Sequence, residues 1–264
     1  MINFFPILHE DELLYSAISR FKLKSGMVSK RALAESIFKK RIITMSVFFP
    51  QHVGNFIENL PPNSKISVEK IIKDHTMFPF FTAFISKEKT DQVFNMMVSG
   101  DARGIENVVG MTGSKVKQNN YLRYCPLCFS DDSKRLGESY FRRIHQAPGV
   151  LYCFEHHVLL KDSTVLCTDS RIDYGCADSD VCSDEILIDE FSPQVKELNL
   201  SYMQNVKKLL DNRYERRDLS YTINFYIDRL RERGLASFAG SLYMDQLEEA
   251  FQIYYPVQYL ELMQ

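Results

Sequence analysis

Four residues near the middle of the chain have the types and the spacing that a metal ion requires. They are Cys125, Cys128, Cys153 and His156, a Cys-x-x-Cys pair followed, after twenty-four intervening residues, by a Cys-x-x-His pair. Three thiolates and one imidazole can surround Zn²⁺ tetrahedrally, and four protein ligands leave no open position for a substrate water. The spacing therefore predicts a structural zinc site and a function in recognition instead of metal catalysis.

Other interpretations of these cysteines stay open at this point. They could be buried or unpaired thiols that share this spacing by chance, or Cys125 and Cys128 could form a thioredoxin-like redox pair. A redox pair needs a βαβ context, and the flanks at 119–121 and 130–132 are more typical of loops. A framework of secreted disulfides is disfavoured, because no signal peptide begins the sequence and six cysteines in 264 residues is ordinary usage. We expect a reducing, cytoplasmic environment.

Composition limits the class of protein. A hydrophobic content of 45% is enough for a core, and 264 residues can form one large or two small domains. No stretch reaches the roughly 18 apolar residues of a membrane span, so no membrane association is expected. Gly-rich phosphate-binding loops and a His-Glu-x-x-His motif are absent from the sequence. These observations favour a protein that is not an enzyme.

The charge distribution divides the chain. Residues 1–165 carry a net charge of +6, residues 166–200 carry −7, and residues 201–264 carry −1. This pattern predicts a basic body followed by an acidic, loop-rich connector. We expect four parts, which are an N-terminal helical domain (1–118), a zinc-finger segment (119–165), an acidic linker (166–193) and a C-terminal helical domain (194–264).

Hydrophobic periodicity predicts a mainly α fold. Apolar residues recur at helical spacing over 11–21, 51–60, 104–109, 194–212, 220–233 and 244–255, and in segments that Ser29, Ser67 and Ser86 can cap. Strand signals occur only near the cysteines, at 140–141 and 149–152. The sequence therefore predicts an N-terminal helix-turn-helix-like region, a Cys₃His zinc knuckle with short strands, and a C-terminal helical, helix-turn-helix-like lobe.

Basic side chains form two clusters that could hold a DNA backbone. The proposed contacts are Lys30, Arg31, Lys39, Lys40 and Arg41 in the first cluster, and Lys115, Lys117, Arg142 and Arg143 in the second. Lys and Arg on helix faces and around a zinc knuckle are the usual means of contacting phosphates. The alternative is that each cluster is a solvated face without a partner. Either cluster could also dock a protein.

The region around the cysteines contains a longer motif, because residues 142–156 include a His-Gln-x-Pro-Gly-Val stretch that leads into Cys-x-x-His. This motif resembles the signature of the TniQ/TnsD family of transposition target-selection proteins, and residues 5–16 resemble the family's opening. Residues 74–80 and 123–128 are similar to the TnsD branch in particular. The resemblance covers about 1–165 strongly and 221–262 weakly, and the motifs occur in the family's order.

The resemblance implies a target selector of a cut-and-paste transposon, active in DNA recombination. Such a protein would bind double-stranded DNA at a chromosomal attachment site and recruit the transposon's AAA+ ATPase regulator, and through it the transposase. It implies structural zinc on the three cysteines and His156, helix-turn-helix elements and a nucleoid-associated location. His157 stands where many relatives have Gly, so either His could be the ligand, and spacing favours His156. The alternative is a zinc-stabilised adaptor that docks the regulator without reading DNA.

Overall fold

The computed structural model describes residues 1–41, 43, 46–101, 104–167, 174–212 and 217–263. Its elements are α1 (Leu14–Ser25), α2 (Lys30–Phe38), α3 (Val53–Asn59), α4 (Val68–Asp74), α5 (Phe78–Thr82), α6 (Lys87–Ser99), α7 (Ile105–Val108), β1 (Tyr121–Tyr124), α8 (Pro126–Leu136), a 3₁₀ helix (Ile144–Gln146), β2 (Lys161–Leu166), α9 (Pro193–Leu210), α10 (Leu219–Glu232), α11 (Met244–Tyr254) and α12 (Val257–Met263). The prediction of a mainly helical fold is confirmed. Across these ranges, every helix is too short or too polar to span a membrane.

Serine caps set the start of three N-terminal helices. The side chains of Ser29, Ser67 and Ser86 each accept a hydrogen bond from the amide three residues on, as predicted. The first helix begins later than the predicted Asp11, because Asp11 has a positive φ of 57° and its carboxylate binds Arg143 instead. Asp11 therefore binds the distant Arg143 instead of forming the first turn of the helix.

The elements around the cysteines differ from the prediction. Strands form at β1 and β2, which pair antiparallel, and not at 140–141 or 149–152. Tyr152 makes only an isolated bridge, with Leu159. The segment after Cys125, predicted as a loop, is the helix α8, with Pro126 at its first position and Gly137 as a left-handed C-cap. The predicted strands failed because pairing depends on partners about forty residues apart.

One hydrophobic core joins the N-terminal helices to the cysteine region. Buried side chains from Leu14 and Phe21 in α1 belong to the same cluster as Phe141, Val150 and Cys153. The helix α3 packs against α2, α4 and α6, and α9 packs against α5 and the 3₁₀ helix. The proposed domain boundaries at 118, 165 and 193 stay predictions.

The helix α9 holds the loop that leads to Cys153. The amide side chain of Asn199, fully buried, accepts a hydrogen bond from the Leu151 amide at 2.9 Å and donates to the Gly149 carbonyl at 2.7 Å. The Tyr202 hydroxyl donates to the Pro148 carbonyl at 2.8 Å. Gly149 has a φ of +79°, which favours glycine. These contacts fix the backbone just before the second half of the cluster.

Candidate metal centre

The structure brings the four predicted ligands into one cluster. The Sγ atoms of Cys125, Cys128 and Cys153 and one ring nitrogen of His156 all lie within 4.8 Å of one another. The Nδ1 atom of His156 is 3.6, 3.3 and 3.6 Å from the three sulfurs in chain order, and Cys128 Sγ lies 3.5 Å from Cys153 Sγ. Zinc bonds of about 2.3 Å to sulfur and about 2.0 Å to nitrogen place tetrahedral ligand atoms about 3.5–3.8 Å apart. The donor set and its geometry therefore fit a zinc ion.

The first pair of ligands is positioned by the start of α8. Cys125 is the N-cap residue, and its Sγ accepts a hydrogen bond from the Cys128 amide at 3.4 Å. Pro126 suits the first helical position, because its missing N–H would have no helical partner there. The helix N-terminus also favours negative charge, which is the form of a thiolate ligand. The Cys-x-x-Cys sequence thus folds into a knuckle that presents both sulfurs on one side.

The second pair of ligands lies on a tight turn. The Cys153 amide donates to the Val158 carbonyl at 2.8 Å, and the His157 amide donates to the Cys153 carbonyl at 3.0 Å. His157 takes a left-handed conformation, with a φ of 53°, which closes this turn. Within the described residues the cluster contains His156 and excludes the exposed His157. The geometry therefore favours His156 as the ligand, as the spacing in the sequence does.

A carboxylate orients the histidine. The Nε2 atom of His156 lies 3.2 Å from Oδ2 of Asp131, while Nδ1 faces the three sulfurs. A neutral imidazole that donates its Nε2–H to Asp131 leaves the Nδ1 lone pair free for a metal. The second partner of a ligating histidine commonly fixes the tautomer in this way. Asp131 is therefore a positioning residue for the cluster, and it is a residue that sequence reasoning did not single out.

The three thiols share protons unequally. Hydrogen bonds from Cys125 and Cys128 lower the pKa of Cys153 far below its usual range, and His145 contributes in the same direction. Hydrogen bonds with Cys125 and Cys153 raise the pKa of Cys128. A bound cation would favour deprotonation of all three thiols, and its affinity would fall at low pH for that reason.

Arg142, which was expected to contact DNA, lies in the interior beside the cluster. Its side chain is 9% exposed, and it donates to both carboxylate oxygens of Asp132, at 2.7 and 3.2 Å. The guanidinium also lies 4.4 Å from the centre of the Tyr140 ring. A bidentate pair of this kind fixes the geometry behind Cys128. Because the guanidinium of Arg142 already binds Asp132, the DNA-binding surface proposed for this protein does not include Arg142.

Arg143 is likewise buried and bonded within the protein. It donates to Oδ1 of Asp11 at 3.0 Å and to the carbonyl oxygens of Lys73 at 2.7 Å and Thr76 at 3.3 Å. The other oxygen of Asp11 accepts from the Ile144 amide at 3.0 Å. These bonds connect the turn before α1, the end of α4 and the 3₁₀ helix. The arginine therefore acts as an internal cross-link, and the DNA proposal does not rely on it either.

The remaining predicted DNA contacts lie on the surface, away from the cluster. Arg31, Lys39, Lys40 and Arg41 are exposed and Lys30 is half-buried, at the two ends of α2. Lys115 and Lys117 are exposed in the irregular segment between α7 and β1. Arg41 pairs with Glu35 at 3.2 Å, both side chains being exposed. The structure thus places the predicted cations on two separate elements.

Two buried polar groups near the cluster were missed at the level of sequence. The Gln146 side chain accepts from the Arg123 amide at 2.9 Å and donates to the carbonyls of Arg123 and Arg142, both at 2.8 Å, which ties β1 to the 3₁₀ helix. Glu12, fully buried, binds the Arg20 guanidinium through two bonds of 2.9 and 2.8 Å. A polar residue inside an apolar stretch of sequence indicates a buried polar group. The sequence does not show which residue that group binds.

The helical body and its closed Cys₃His cluster define the class of the protein. The sequence model of the TniQ family matches residues 3–160, which is more than half of the chain, so the chain belongs to the TniQ family. All four residues of the cluster lie inside the matched region. The transposon Tn7 transposition protein TnsD of Escherichia coli is 30% identical over 156 residues, which cover 59% of this chain and 31% of TnsD. The matched region thus spans about a third of that relative's length.

Proposed function

We propose that this protein selects the insertion site of a transposon. It would bind double-stranded DNA at a chromosomal attachment site and recruit an AAA+ ATPase regulator, which in turn brings the transposase. The observation that carries the proposal is the family match, which includes the helical body and the whole cysteine cluster. The similarity to a Tn7 transposition protein supports the same role. The protein would act at the nucleoid without chemistry of its own.

The helix α2 is the proposed DNA-contacting element. It follows α1 after a short turn that begins at Gly26, a left-handed C-cap, and ends at the N-cap Ser29. Helix-turn-helix motifs place the second helix of such a pair in the major groove. Arg31 lies in the first turn of α2, whereas Lys39, its left-handed C-cap, and Lys40 come directly after its last residue. Exposed cations at both ends of the helix would contact phosphates on either side of the groove.

Zinc is the proposed occupant of the cluster, with a structural role. Cys125, Cys128, Cys153 and His156 would hold it, and its binding free energy would stabilise the fold. The three cysteines belong to the same hydrophobic core as Phe141 and Val150. Within this arrangement the ion would lock α8 to the turn at 153–156. The surfaces that bind DNA and the regulator would therefore depend on zinc through folding alone.

The DNA proposal is tested by the salt dependence of binding. Fluorescence anisotropy with a duplex carrying the natural insertion region should show affinity falling steeply between about 50 and 200 mM salt. The variant Lys39→Ala/Lys40→Ala should bind more weakly and with a shallower slope, because two phosphate contacts are removed. The matched control is Lys87→Ala, an exposed cation on α6 that pairs with Asp91. Equal slopes for all three proteins would contradict a role for α2.

A protein–protein adaptor that does not read DNA is the second candidate. Two observations favour it: the arginines beside the cluster are engaged internally, and α10 and α11 have no buried residue and expose large apolar side chains. Ile253 and Phe238 are 80% and 95% exposed in this region. An adaptor would bind the purified ATPase regulator and no duplex, even at low salt. Binding to a duplex in the absence of the regulator would reject it.

A further inference from the structure

The segment 183–190 runs along the surface as a tethered, irregular strap. It contains no helix, strand, turn or bend. At one end, the Ser183 amide donates to the Tyr124 hydroxyl at 2.8 Å, and Lys161 Nζ donates to the Glu185 carbonyl at 3.2 Å. Tyr124 and Lys161 are partners in the β1–β2 register, so this end is fixed to the sheet. We call residues 183–190 the acidic strap.

The other end of the acidic strap is fixed near the start of α9. The Tyr152 hydroxyl donates to Oδ1 of Asp189 at 2.9 Å, and Lys196 Nζ lies 3.1 Å from Oδ2 of the same carboxylate. The Phe191 amide also donates to Asp189 Oδ1 at 3.2 Å. The strap is therefore held at both ends by side chains of the ordered body. A partner that binds it would lose less conformational entropy than with a free loop.

Three consecutive aliphatic residues stand exposed between these two anchors. Ile186, Leu187 and Ile188 are 49%, 42% and 84% exposed. In an extended chain Ile186 and Ile188 lie on one side and Leu187 on the other. Within the described parts of the chain, no backbone hydrogen bond is made by the amides of residues 184–190. Unpaired backbone groups and alternating aliphatic side chains are the features of an open strand edge.

The acidic strap and the residues flanking it in sequence carry negative charges only. Between residues 174 and 195 the sequence has six Asp or Glu residues and no Lys, Arg or His. Cations of the chain itself pair with two of them, Glu185 and Asp189. Asp184 and Glu190 are exposed and form no ion pair with any other described residue. Such a surface repels phosphates and acidic proteins, and it attracts a basic segment.

We propose that the acidic strap binds an extended, basic segment of a partner protein by strand addition. The partner's main chain would pair with the free amides and carbonyls of Ile186 and Ile188, which point to the same edge of an extended chain, and its alternate aliphatic side chains would cover these two residues. Lys or Arg residues flanking that core would face Asp184 and Glu190. This inference rests on the strap and its anchors alone, and it requires neither DNA binding nor an occupied metal site.

The opposing explanation is that the acidic residues only protect an exposed edge. Charged residues beside aliphatic runs commonly prevent unwanted strand pairing. In that case the flanking charges would suppress binding of every extended peptide. Under strand addition they would instead select basic peptides. Under edge protection no extended peptide binds before or after charge reversal, whereas strand addition predicts a change from basic to acidic peptides.

The test selects a random-peptide display library on the full chain and counter-selects on the variant Ile188→Pro. Proline removes the amide hydrogen of one pairing residue, Ile188, which is exposed and makes no described backbone bond. Peptides recovered from the selection are synthesised and measured by anisotropy against both proteins. Unchanged thermal melting of the variant controls for folding. Hydrogen exchange of the Ile186–Ile188 amides is measured with and without each peptide.

Strand addition predicts enrichment of peptides with alternating aliphatic residues between Lys or Arg flanks. Their affinity should fall at least about tenfold for Ile188→Pro, because one pairing hydrogen bond is lost and the proline ring blocks the close approach of the partner strand. The amides of Ile186 and Ile188 should exchange more slowly in the complex, whereas the amide of Leu187, which points to the other edge, should not. The charge reversal Asp184→Lys/Glu190→Lys should shift selection to acidic flanks. Failure to enrich any Ile188-dependent class, or tighter basic-peptide binding after charge reversal, would overturn the proposal.

Discussion

Removing the guanidinium of Arg143 should greatly lower the free energy of unfolding. It should not change the proposed contacts between the protein and DNA. The variant Arg143→Met keeps most of the aliphatic stem and removes three hydrogen bonds, one to Asp11 and two to the carbonyls of Lys73 and Thr76. The Arg143 and Asp11 side chains are 5% and 15% exposed. Breaking one partner out of a buried pair costs about 3–5 kcal/mol, because the groups left behind lose their solvation and their partner. We expect a loss in that range.

A double-mutant cycle in urea measures this contribution. The variants are Arg143→Met, Asp11→Asn and their combination, where Asn also tolerates the positive φ at position 11. The combined loss should be smaller than the sum of the single losses by about 1–3 kcal/mol, because the two residues share one contact. The exposed control Lys115→Met should stay within about 0.5 kcal/mol of the wild type.

The same variants separate an internal role from a DNA role. If Arg143 is a cross-link, the slope of DNA affinity against salt should be the same for Arg143→Met and the wild type at a temperature where both are folded. A free energy of unfolding within about 1 kcal/mol of wild type, together with a slope reduced by about one phosphate contact, would refute this reasoning.

Four further outcomes are expected. Cys153→Ser should lose its zinc, measured by atomic emission, and melt at a lower temperature; full zinc content with unchanged melting would reject the metal site. Asp131→Asn should weaken zinc affinity about 10–100-fold in a chelator competition, and unchanged affinity would remove its orienting role. Lys40→Ala should lower the salt slope of DNA binding by about one without changing thermal melting, whereas an unchanged slope would exclude its phosphate contact. Burial lowers the pKa of His75 below the ordinary histidine value of about 6.5, so on acidification the unfolded chain binds a proton at this residue more readily than the folded chain does. Stability should therefore fall as the pH drops through about 6.5, and less so in His75→Asn; equal pH profiles in urea unfolding would contradict this.

Local signals in the sequence were sufficient for the helices and for the ligand set. The caps Ser29, Ser67 and Ser86 begin helices as expected, because a serine side chain and the amide three residues on interact within one turn. The cysteine spacing identified the cluster because each pair closes its own knuckle. Even α8 had local signals, with Pro126 at its start and Gly137 at its end, which the loop interpretation overlooked.

The long-range contacts could not be predicted from the same signals. Asp11 and Arg143 are 132 residues apart in sequence, and Arg142 binds Asp132 across a turn of irregular chain. A basic residue in a charge cluster has the same sequence pattern whether it faces solvent or a buried carboxylate. Burial decides between them, and burial depends on how the whole core packs. The strands β1 and β2 were not predicted because each pairs with a strand about forty residues away in sequence.

Binding of the full chain to duplex DNA carrying the natural insertion region, compared with scrambled duplex, tests the central claim most directly. The gel shift is run at low salt with zinc present, with and without the purified ATPase regulator. The account predicts retardation of the natural duplex by the chain alone, preference over the scrambled duplex, and a further shift when the regulator is added. Absence of any retarded species with the chain alone, or equal retardation of both duplexes, would contradict it.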